Sequence, residues 1–462
     1  MIAYDLGTPP LEEVAEMAGG TLRLPKGLRR QDGVRGASID SRTIEPGELF
    51  VPLPGSHVDG HEYLATAFER GAGAALCARD RYAALEGHEP GPLIVVDDVT
   101  RALQDFARGW RGHWTGILLG VTGSAGKTTT KNLTALAFGT RWPTHRTAGN
   151  LNNHWGVPLT LLGLRGEHRA AVVEMGMNQP GEIAMLAALA HPTAGLITNV
   201  GTAHLERFGT VEAIAREKAS LADALPADAP LFVGADSPAL LEALKTVSCR
   251  IITFGLSEAA DVRPMWVEDL GPRGSRFEVP GFPPVALPLV GRHQVRNALA
   301  ALAVAREWNL DRVAVVQALE SVAPEEGRMQ TRTVRDATLI VDCYNANPDT
   351  TRLALQTLAS WPEARRRIAV LGDMLELGAA APQLHRETGA AVRDAELWVV
   401  GVHAADYETG ATASGIPVRR FATKPDLARA LLPELGPGTV VLFKASRGAA
   451  LEDVVDQIER EA

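Results

Sequence analysis

The chain has 462 residues, of which 46% are hydrophobic and 22% charged, and it carries a formal net charge of −9. These values are typical of a globular protein of about three domains, and the acidic balance argues against broad nucleic-acid binding. The three cysteines form no Cys-x-x-Cys pair, and there is no secretory signal or long apolar run, so we expect a cytoplasmic protein without disulfides, structural zinc or a membrane span.

Short strand-like runs alternate with helical segments in three zones. Residues 1–112 contain "GELFVPL" and "GPLIVVDDV", and residues 113–322 contain "AAVVEM", "AGLITNV" and "APLFVGA". Residues 323–462 contain "TLIVDCYN", "RRIAVLGD", "ELWVVGV" and "TVVLFKAS". This alternation predicts an α/β protein with parallel sheets covered by helices. The Pro- and Gly-rich stretch 262–291 predicts an antiparallel excursion, and 322–336 predicts a hinge.

The stretch "GVTGSAGKTTT" (120–130) follows an apolar strand and opens a helix. Its end fits the P-loop pattern G-x-x-x-x-G-K-[ST], but Val121 stands where the first glycine is expected. In such a turn, backbone N–H groups and the helix N-terminus face phosphate oxygens. Lys127 would add a positive charge, and the Thr128 hydroxyl could bind Mg²⁺. The sequence therefore predicts a nucleoside triphosphate site, with a ligand-free glycine turn as the alternative.

Two polar residues follow the next strands of this zone. Glu174 ends the strand "AAVVE", so its carboxylate should face the same sheet edge as the P-loop and could hold Mg²⁺. His204 follows the strand "AGLITNV" and becomes a further site candidate. A solvated glutamate and a structural histidine are the alternatives.

Lys218 conflicts with the pattern of its own helix. Ile214, Leu221 and Leu225 form an apolar stripe in "VEAIAREKASLADAL", and Lys218 lies within it. A buried ammonium group is costly and tends towards the neutral amine. Lys218 therefore has an anionic partner, reacts to lose its charge, or extends its ammonium to solvent from the end of the stripe.

Four segments together resemble the Mur ligases of peptidoglycan synthesis: "TGSAGKTTT", "EMGMNQPGEI", "TNVGTAHLERFG" followed by "REKA", and "GRHQVRNALAALA". The resemblance implies a smaller N-terminal α/β domain (1–112) that binds a UDP-sugar. It also implies a central P-loop domain (113–322), whose mostly parallel sheet has helices on both faces. A C-terminal Rossmann-like domain (323–462) would bind the incoming amine substrate.

Within this family, "AGNLNNHWGVPLTLL" and "DCYNANPDT" are similar to members that join D-alanyl-D-alanine to UDP-N-acetylmuramoyl-tripeptide. The implied reaction consumes ATP and passes through an acyl phosphate. The segment "DSRTIEPGELFVPLPGSHVDGHEYL" resembles a UDP-sugar-binding domain shared with the tripeptide-forming members. A relative that adds a single amino acid is the alternative, although the Asp-Asn-Pro-Arg motif of the tripeptide-forming members is absent.

The resemblance also implies residue roles. Lys127, Glu174, His204 and Lys218 would be catalytic, and Thr128, Glu174, His204 and Lys218 would hold two Mg²⁺ ions, with a CO₂-derived carbamate on Lys218. ATP would contact Thr122, Gly123, Ser124, Ala125, Gly126, Lys127, Thr128, Thr129, Asn297, Arg328 and Asp342. The other substrates would contact Ser41, Arg42, His57, Asn152, Asn153, Tyr344, Asn345 and Asn347. Cys343 and Ala445 depart from the family pattern and weaken any dipeptide role for Ser446 and Arg447.

Other classes of protein fit the sequence less well. A folylpolyglutamate-type ligase would begin near the P-loop domain, and a P-loop ATPase or GTPase would need a Walker-B Asp and a base-reading motif, which are not evident. A regulatory nucleotide-binding module would have no use for Lys127, Glu174, His204 and Lys218 together. A dehydrogenase is disfavoured because no G-x-G-x-x-G follows a strand of the last zone. We expect a monomer that binds no nucleic acid.

Overall fold

The computed structural model describes residues 7–26, 33–55, 58–362 and 364–462. These residues form four β-sheets, three of them mostly or wholly parallel, with helices packed between and around them. The structure thus confirms the predicted α/β class. No helix of the described ranges is long and apolar enough to cross a membrane.

The first sheet has five strands in the order β1-β5-β4-β3-β2, and only β1 runs antiparallel to its neighbour. The strands are β1 (Thr21–Arg23), β2 (Ala37–Ser38), β3 (Leu49–Phe50), β4 (Ala74–Ala78) and β5 (Leu93–Val96). The helices are α1 (Leu11–Met17), α2 (Leu64–Glu69), α3 (Arg79–Tyr82) and α4 (Val99–Gly112). The predicted strand "GELFVPL" pairs over only two residues, and the proline at position 52 has no N–H to extend the ladder.

The second sheet has six parallel strands in the order β11-β10-β9-β6-β8-β7. Its strands are β6 (Ile117–Thr122), β7 (Thr144–Arg146), β8 (Ala170–Glu174), β9 (Ala194–Ile197), β10 (Pro230–Gly234) and β11 (Arg250–Phe254). Its helices are α5 (Lys127–Gly139), α6 (Gly156–Leu162), α7 (Glu182–Ala190), α8 (Leu205–Phe208), α9 (Val211–Ala219), α10 (Pro238–Ala243), α11 (His293–Glu307) and α12 (Arg312–Glu320).

Successive residues of β6 face opposite sides of this sheet. Leu118 packs into the core that contains α6 and α7, whereas Leu119 and Val121 pack into the core that contains α5 and α11. The sheet therefore has helices on both faces, as predicted. The segment 262–291 also forms the predicted antiparallel excursion, with β12 (Trp266–Asp269), β13 (Ser275–Glu278) and β14 (Val285–Leu287).

The last sheet has six strands in the order β15-β16-β20-β17-β18-β19, with only β15 antiparallel. Its strands are β15 (Gln330–Val334), β16 (Ala337–Asp342), β17 (Arg366–Leu371), β18 (Glu396–Val400), β19 (Val418–Phe421) and β20 (Thr439–Lys444). On one face lie α13 (Pro348–Ala359), α14 (Ala381–Ala390) and α15 (Ala404–Ala413). On the other face lie α16 (Lys424–Leu431) and α17 (Glu452–Glu461). This is the predicted Rossmann-like arrangement.

Helix α4 connects the first sheet to the second through one shared apolar core. Its last turn carries Arg111, whose guanidinium is buried and has no carboxylate partner among the residues that the structure describes. Arg111 donates hydrogen bonds to the backbone carbonyls of Ala190 (2.9 Å), Trp114 (2.6 Å) and His191 (2.8 Å). Burial lowers the pKa of Arg111 to about 10. The side chain thus ties α4 to the C-terminal end of α7.

Replacing Arg111 should destabilise the fold. Arg111→Met would remove the donor of three carbonyl oxygens, two of them in buried hydrogen bonds, so we expect the free energy of unfolding to fall by about 3 kcal/mol. Denaturant titration monitored by circular dichroism measures this change. The matched control is Arg108→Met on the same helix, because Arg108 is half-exposed and forms a surface ion pair with Asp105; we expect a change below about 0.5 kcal/mol. Equal stability of the two variants would contradict the assigned role of Arg111.

Candidate functional site

The P-loop is a four-residue turn between β6 and α5. Gly123 and Gly126 have φ angles of 150° and 77°, which lie in the region that favours glycine. A Cβ at Gly126 would lie 2.4 Å from Asn297 Oδ1, and one at Gly123 would lie 1.8 Å from Thr198 Oγ1. Val121, at the position of the usual first glycine, belongs to β6 and is fully buried. The displaced glycine therefore marks where the strand ends and the turn begins.

The loop after β9 holds this turn in place. The Asn199 side chain accepts a hydrogen bond from the Ala125 N–H (3.0 Å) and donates one to the Ala125 carbonyl (2.9 Å). The Ser124 N–H donates to the Asn199 carbonyl (3.0 Å), and the Gly201 N–H donates to Ser124 Oγ (3.0 Å). These contacts fix the peptide groups that would face phosphate. The sequence predicts no role for Asn199, because the residues around it give no sign of a partner that lies 74 positions earlier in the chain.

Lys127 folds back onto its own loop. Its ammonium donates to the Gly123 carbonyl at 2.8 Å. Desolvation lowers the pKa of Lys127, and the nearby charge of Glu174 partly opposes that shift. A phosphate group near this ammonium would favour the charged form.

Glu174 is a buried carboxylate at the C-terminal end of β8, only 1% exposed. Its Oε1 accepts hydrogen bonds from Asn152 Nδ2 (2.8 Å) and Thr128 Oγ1 (3.3 Å). Its Oε2 is buried and has no hydrogen-bond partner among the described residues. A buried carboxylate oxygen without a donor is costly unless a cation completes its surroundings. These donor groups fit Mg²⁺, which prefers carboxylate and hydroxyl oxygens.

Lys131 is a second buried lysine beside Glu174, and its place in the site was not predicted from the sequence. It is 1% exposed, and its ammonium lies 3.8 Å from Glu174 Oε2. It donates to the carbonyls of Thr147 (2.9 Å) and Gly149 (3.2 Å), just before the segment that carries Asn152. The available signal was its position four residues after Lys127, on the same helix face.

Lys218 is buried, as its helix pattern predicts. It is 1% exposed, and its ammonium lies 3.5 Å from Met177 Sδ. Desolvation, with a contribution from the charge of Lys127, holds the pKa of Lys218 well below its usual value. The helix is shorter than predicted, because α9 ends at Ala219 and continues as a 3-10 turn over Ser220–Ala224.

His204 pairs with the C-terminal domain in this structure. Its backbone has a φ of 64°, and its Nδ1 lies 3.0 Å from Glu376 Oε2. This contact holds the pKa of Glu376 below its usual value. Across the described residues, no group of three or more His, Cys, Asp and Glu side chains is arranged to hold a metal. Thr128 and Glu174 are thus in contact, whereas His204 and Lys218 have other partners.

The C-terminal domain supplies the opposite wall. Arg328 Nη2 donates to Thr128 Oγ1 (3.0 Å), and its guanidinium lies 4.0 Å from the centre of the Tyr344 ring. Asp342 pairs with Lys444 (2.8 Å), a buried lysine at the end of β20 that also donates to the Asn345 carbonyl (2.7 Å). The strand "TVVLFKAS" was predicted, but no role was predicted for this lysine. The structure thus places one further cation, Lys444, beside the predicted ATP-facing residue Asp342.

A cavity of about 360 Å³ lies between these walls. Predicted residues that line it are Ser124, Ala125, Gly126, Lys127, Thr128, Thr129, Asn152, Asn153, Glu174, His204, Asn297, Arg328, Asp342, Tyr344, Asn345 and Asn347. Predicted residues outside its lining are Thr122, Gly123, Lys218, Ser41 and Arg42, and His57 lies outside the described residues. Met177, the neighbour of Lys218, lines the cavity.

Three of the predicted contact residues already have structural partners. Asn297 donates to Gln294 Oε1 (2.7 Å) and accepts from Thr130 Oγ1 (3.2 Å). Asn153 Oδ1 accepts from the Gly156 N–H at the start of α6 (2.8 Å). Asn347 caps α13. Their side chains therefore shape the cavity wall, and their predicted ligand contacts stay predictions.

Three family models match the chain in succession. Residues 33–111 match the Mur ligase family catalytic domain, residues 121–305 the Mur ligase middle domain, and residues 327–447 the Mur ligase glutamate ligase domain. The matched segments contain strands β2 to β5 of the first sheet, the P-loop with strands β7 to β14, and all six strands of the last sheet.

Curated relatives match at similar length. The UDP-N-acetylmuramoyl-tripeptide–D-alanyl-D-alanine ligase of Bacillus subtilis is 34% identical over 97% of this chain and 98% of its own. The enzyme of the same name from Synechocystis is 38% identical over 91% of this chain and 90% of its own.

Solved structures agree with these matches. MurF from Acinetobacter baumannii superposes with a TM-score of 0.86 at 30% identity, over 98% of this chain and 99% of that one. MurF from Thermotoga maritima in complex with ADP gives 0.78 at 27% identity, over 93% of this chain and 99% of that one. At 34% identity or more over most of both chains, the curated matches show that this protein belongs to the Mur ligase family.

Proposed function

We propose that this chain joins D-alanyl-D-alanine to UDP-N-acetylmuramoyl-tripeptide with consumption of ATP, in peptidoglycan precursor synthesis. The observation that carries the proposal is that the P-loop, Glu174 and Asn152 line the same cavity as residues of the segment 344–347 in the C-terminal domain. The relatives at 34–38% identity bear the name of this reaction. An ADP-bound MurF at 27% identity supports ATP use.

The chemistry needs two anions to approach each other. The tripeptide carboxylate attacks the γ-phosphorus of ATP, giving an acyl phosphate and ADP. The neutral amine of the dipeptide then attacks the acyl carbon, phosphate leaves with the electron pair of the broken C–O bond, and the proton lost by nitrogen passes to the leaving phosphate. Lys127 donates to the Gly123 carbonyl at the start of the P-loop, and Arg328 donates to Thr128 Oγ1 in the first turn of α5. Both cations would offset the charge on the transferring phosphoryl group.

Thr128 and Glu174 would hold one Mg²⁺, and the orphaned Oε2 of Glu174 supports this assignment. When bound, the ion supplies Lewis-acid stabilisation of phosphate charge. Asn152 and Lys131 would keep the Glu174 carboxylate oriented. A second ion would depend on His204 and Lys218, and His204 would first have to leave Glu376.

Lys218 would carry the carbamate. Because burial lowers its pKa, the neutral amine needed to react with CO₂ is present at a lower pH than for an exposed lysine. The adduct would exchange a buried cation for an anion beside the charge of Lys127. The carbamate would thus remove the cost of burying a second positive charge at Lys218, close to Lys127.

The remaining proposed substrate contacts are divided among the three domains. Ser41, Arg42 and His57 would bind the UDP-sugar on the N-terminal domain, and Asn152 and Asn153 would reach its peptide. Tyr344, Asn345 and Asn347 would face the incoming dipeptide. Closure of the C-terminal domain would exclude water from the acyl phosphate.

The substrate assignment predicts a strict requirement for both co-substrates. Phosphate release from ATP should require UDP-N-acetylmuramoyl-tripeptide and D-alanyl-D-alanine together, because the acyl phosphate is consumed only by the dipeptide amine. A coupled phosphate assay with each substrate omitted in turn measures this. Turnover with a single amino acid in place of the dipeptide would instead indicate a different Mur-type ligase.

Removing the charge of Glu174 should weaken metal binding. In Glu174→Gln we expect the Mg²⁺ concentration for half-maximal ADP binding to rise at least about tenfold and kcat to fall by about 10²-fold, since the amide cannot neutralise the ion. Isothermal titration calorimetry at several Mg²⁺ concentrations measures the first effect. Glu212→Gln, on the exposed side of α9, is the control and should change neither value. Unchanged Mg²⁺ dependence in Glu174→Gln would rule out the assigned ligand.

Loss of Lys218 should be rescued chemically. Lys218→Ala should lower kcat by about 10²-fold or more, and millimolar formate or acetate should restore part of it by supplying the missing carboxylate. The matched control is Lys127→Ala, which should lose activity without rescue, because a carboxylate cannot replace an ammonium. Equal failure of rescue in both variants would overturn the carbamate assignment.

A further inference from the structure

The loop that follows β9 is hydrogen-bonded to the C-terminal domain through one carboxylate. The backbone N–H and the hydroxyl of Thr202 both donate to Asp349 Oδ2, at 2.7 Å and 2.9 Å. The two residues are 147 positions apart in the chain. A charged acceptor that takes two short hydrogen bonds makes a strong and directional contact.

The same loop is bonded to the P-loop on its other side. Asn199 pairs with Ala125, and the Gly201 N–H donates to Ser124 Oγ. The Val200 N–H is held by Ser237 Oγ at 3.1 Å, so the loop is anchored at its middle as well. A continuous hydrogen-bonded path therefore runs from the phosphate-facing turn through residues 199–202 to Asp349.

Asp349 lies where the C-terminal domain meets the substrate cavity. It is the second residue of α13, and the capping box between Asn347 and Thr350 fixes this helix end. Asn345 and Asn347, just before it, line the cavity. A displacement of Asp349 would therefore move the segment proposed to face the dipeptide.

Gly201 lets the carboxylate approach. A Cβ at this position would lie 2.4 Å from Asp349 Oδ2, so any side chain here would push the carboxylate away from Thr202. The other oxygen of Asp349 pairs with Arg352 at 3.2 Å, on the same helix. The two oxygens thus have separate partners, one across the domains and one within α13.

We propose that Asp349 is a positioning residue that couples nucleotide binding at the P-loop to the placement of α13 and its dipeptide-facing segment. The proposal rests on the function proposed above for its meaning in catalysis, but the physical coupling does not depend on the identity of the substrates. Nucleotide that orders the P-loop would order residues 199–202 and, through Thr202, the first turn of α13. Coupling of this kind is reciprocal for binding.

Hydrogen–deuterium exchange of the full-length protein, with and without MgADP, tests the coupling. We expect MgADP to slow exchange both at residues 123–128 and at residues 350–353 in the wild type. In Asp349→Ala and in Gly201→Ala, we expect slowing at 123–128 to remain and slowing at 350–353 to be lost. Arg352→Met, which removes only the within-helix partner, should behave as the wild type.

Steady-state kinetics give the second readout. Asp349→Ala should lower kcat/KM for the dipeptide at least about tenfold and leave the KM for ATP within about twofold, since it misplaces one wall of the cavity. Thr202→Val combined with Asp349→Ala should do no more than Asp349→Ala alone. Asp349→Asn, which keeps one acceptor oxygen, should recover part of the loss.

The proposal is overturned if MgADP slows exchange at 123–128 but not at 350–353 in the wild type, or if Asp349→Ala and Gly201→Ala retain the slowing at 350–353. Thermal unfolding by circular dichroism identifies any variant that fails to fold, and Gly201→Ala, which leaves Asp349 and its helix unchanged, then decides the question. A wild type that shows the exchange coupling but no dipeptide-dependent phosphate release would refute the proposed function and leave the coupling standing.

Discussion

The site depends on a carboxylate that the protein buries without fully satisfying it. Glu174 presents one oxygen to Thr128 and Asn152 and leaves the other without a hydrogen-bond donor among the described residues. Lys131 is 3.8 Å away and offers charge without a hydrogen bond. A buried carboxylate oxygen without a hydrogen-bond donor is costly unless a cation completes its surroundings, and the oxygen groups at the end of β8 are those that a metal cation prefers.

The three mainly parallel sheets are connected by different kinds of contact. The first two share an apolar core through α4, which makes them mechanically one unit. The contacts between the second domain and the last include several single polar pairs, such as Thr202 with Asp349, His204 with Glu376 and Arg328 with Thr128. Polar contacts of this kind exchange partners at low cost, whereas an apolar core does not. Movement is therefore expected between the second and last sheets, which is where the cavity lies.

The sequence predicts features that local pattern determines. The P-loop, the strand-end position of Glu174 and the burial of Lys218 each follow from strand and helix periodicity within about ten residues. Asn199 and Lys444 could not be found this way, because their importance arises from partners far away in the chain. Lys131 was missed although its spacing from Lys127 places both on one helix face. The pairing of His204 with Glu376 was missed for the same reason: a surface glutamate in a loop carries no signal of which domain it will touch. The strand β3 pairs over two residues only, because the proline at position 52 has no N–H to donate to a neighbouring strand. The apolar pattern of "GELFVPL" predicts the strand but not this limit on its length.

The charge distribution of the cavity explains how an acidic protein can take several anionic substrates. Lys127, Lys131 and Lys218 are all desolvated, and in each the pKa is lowered for that reason. Arg328 and Lys444 add two more cations at the opposite wall. Local fields act over about 10 Å at moderate ionic strength, so the distant surface charges that make up the net −9 are screened from this space. Of these three lysines, Lys127 lines the cavity, and a phosphate group bound beside it would raise its pKa again. Phosphate binding is therefore linked to the same burial that lowers the pKa of Lys127.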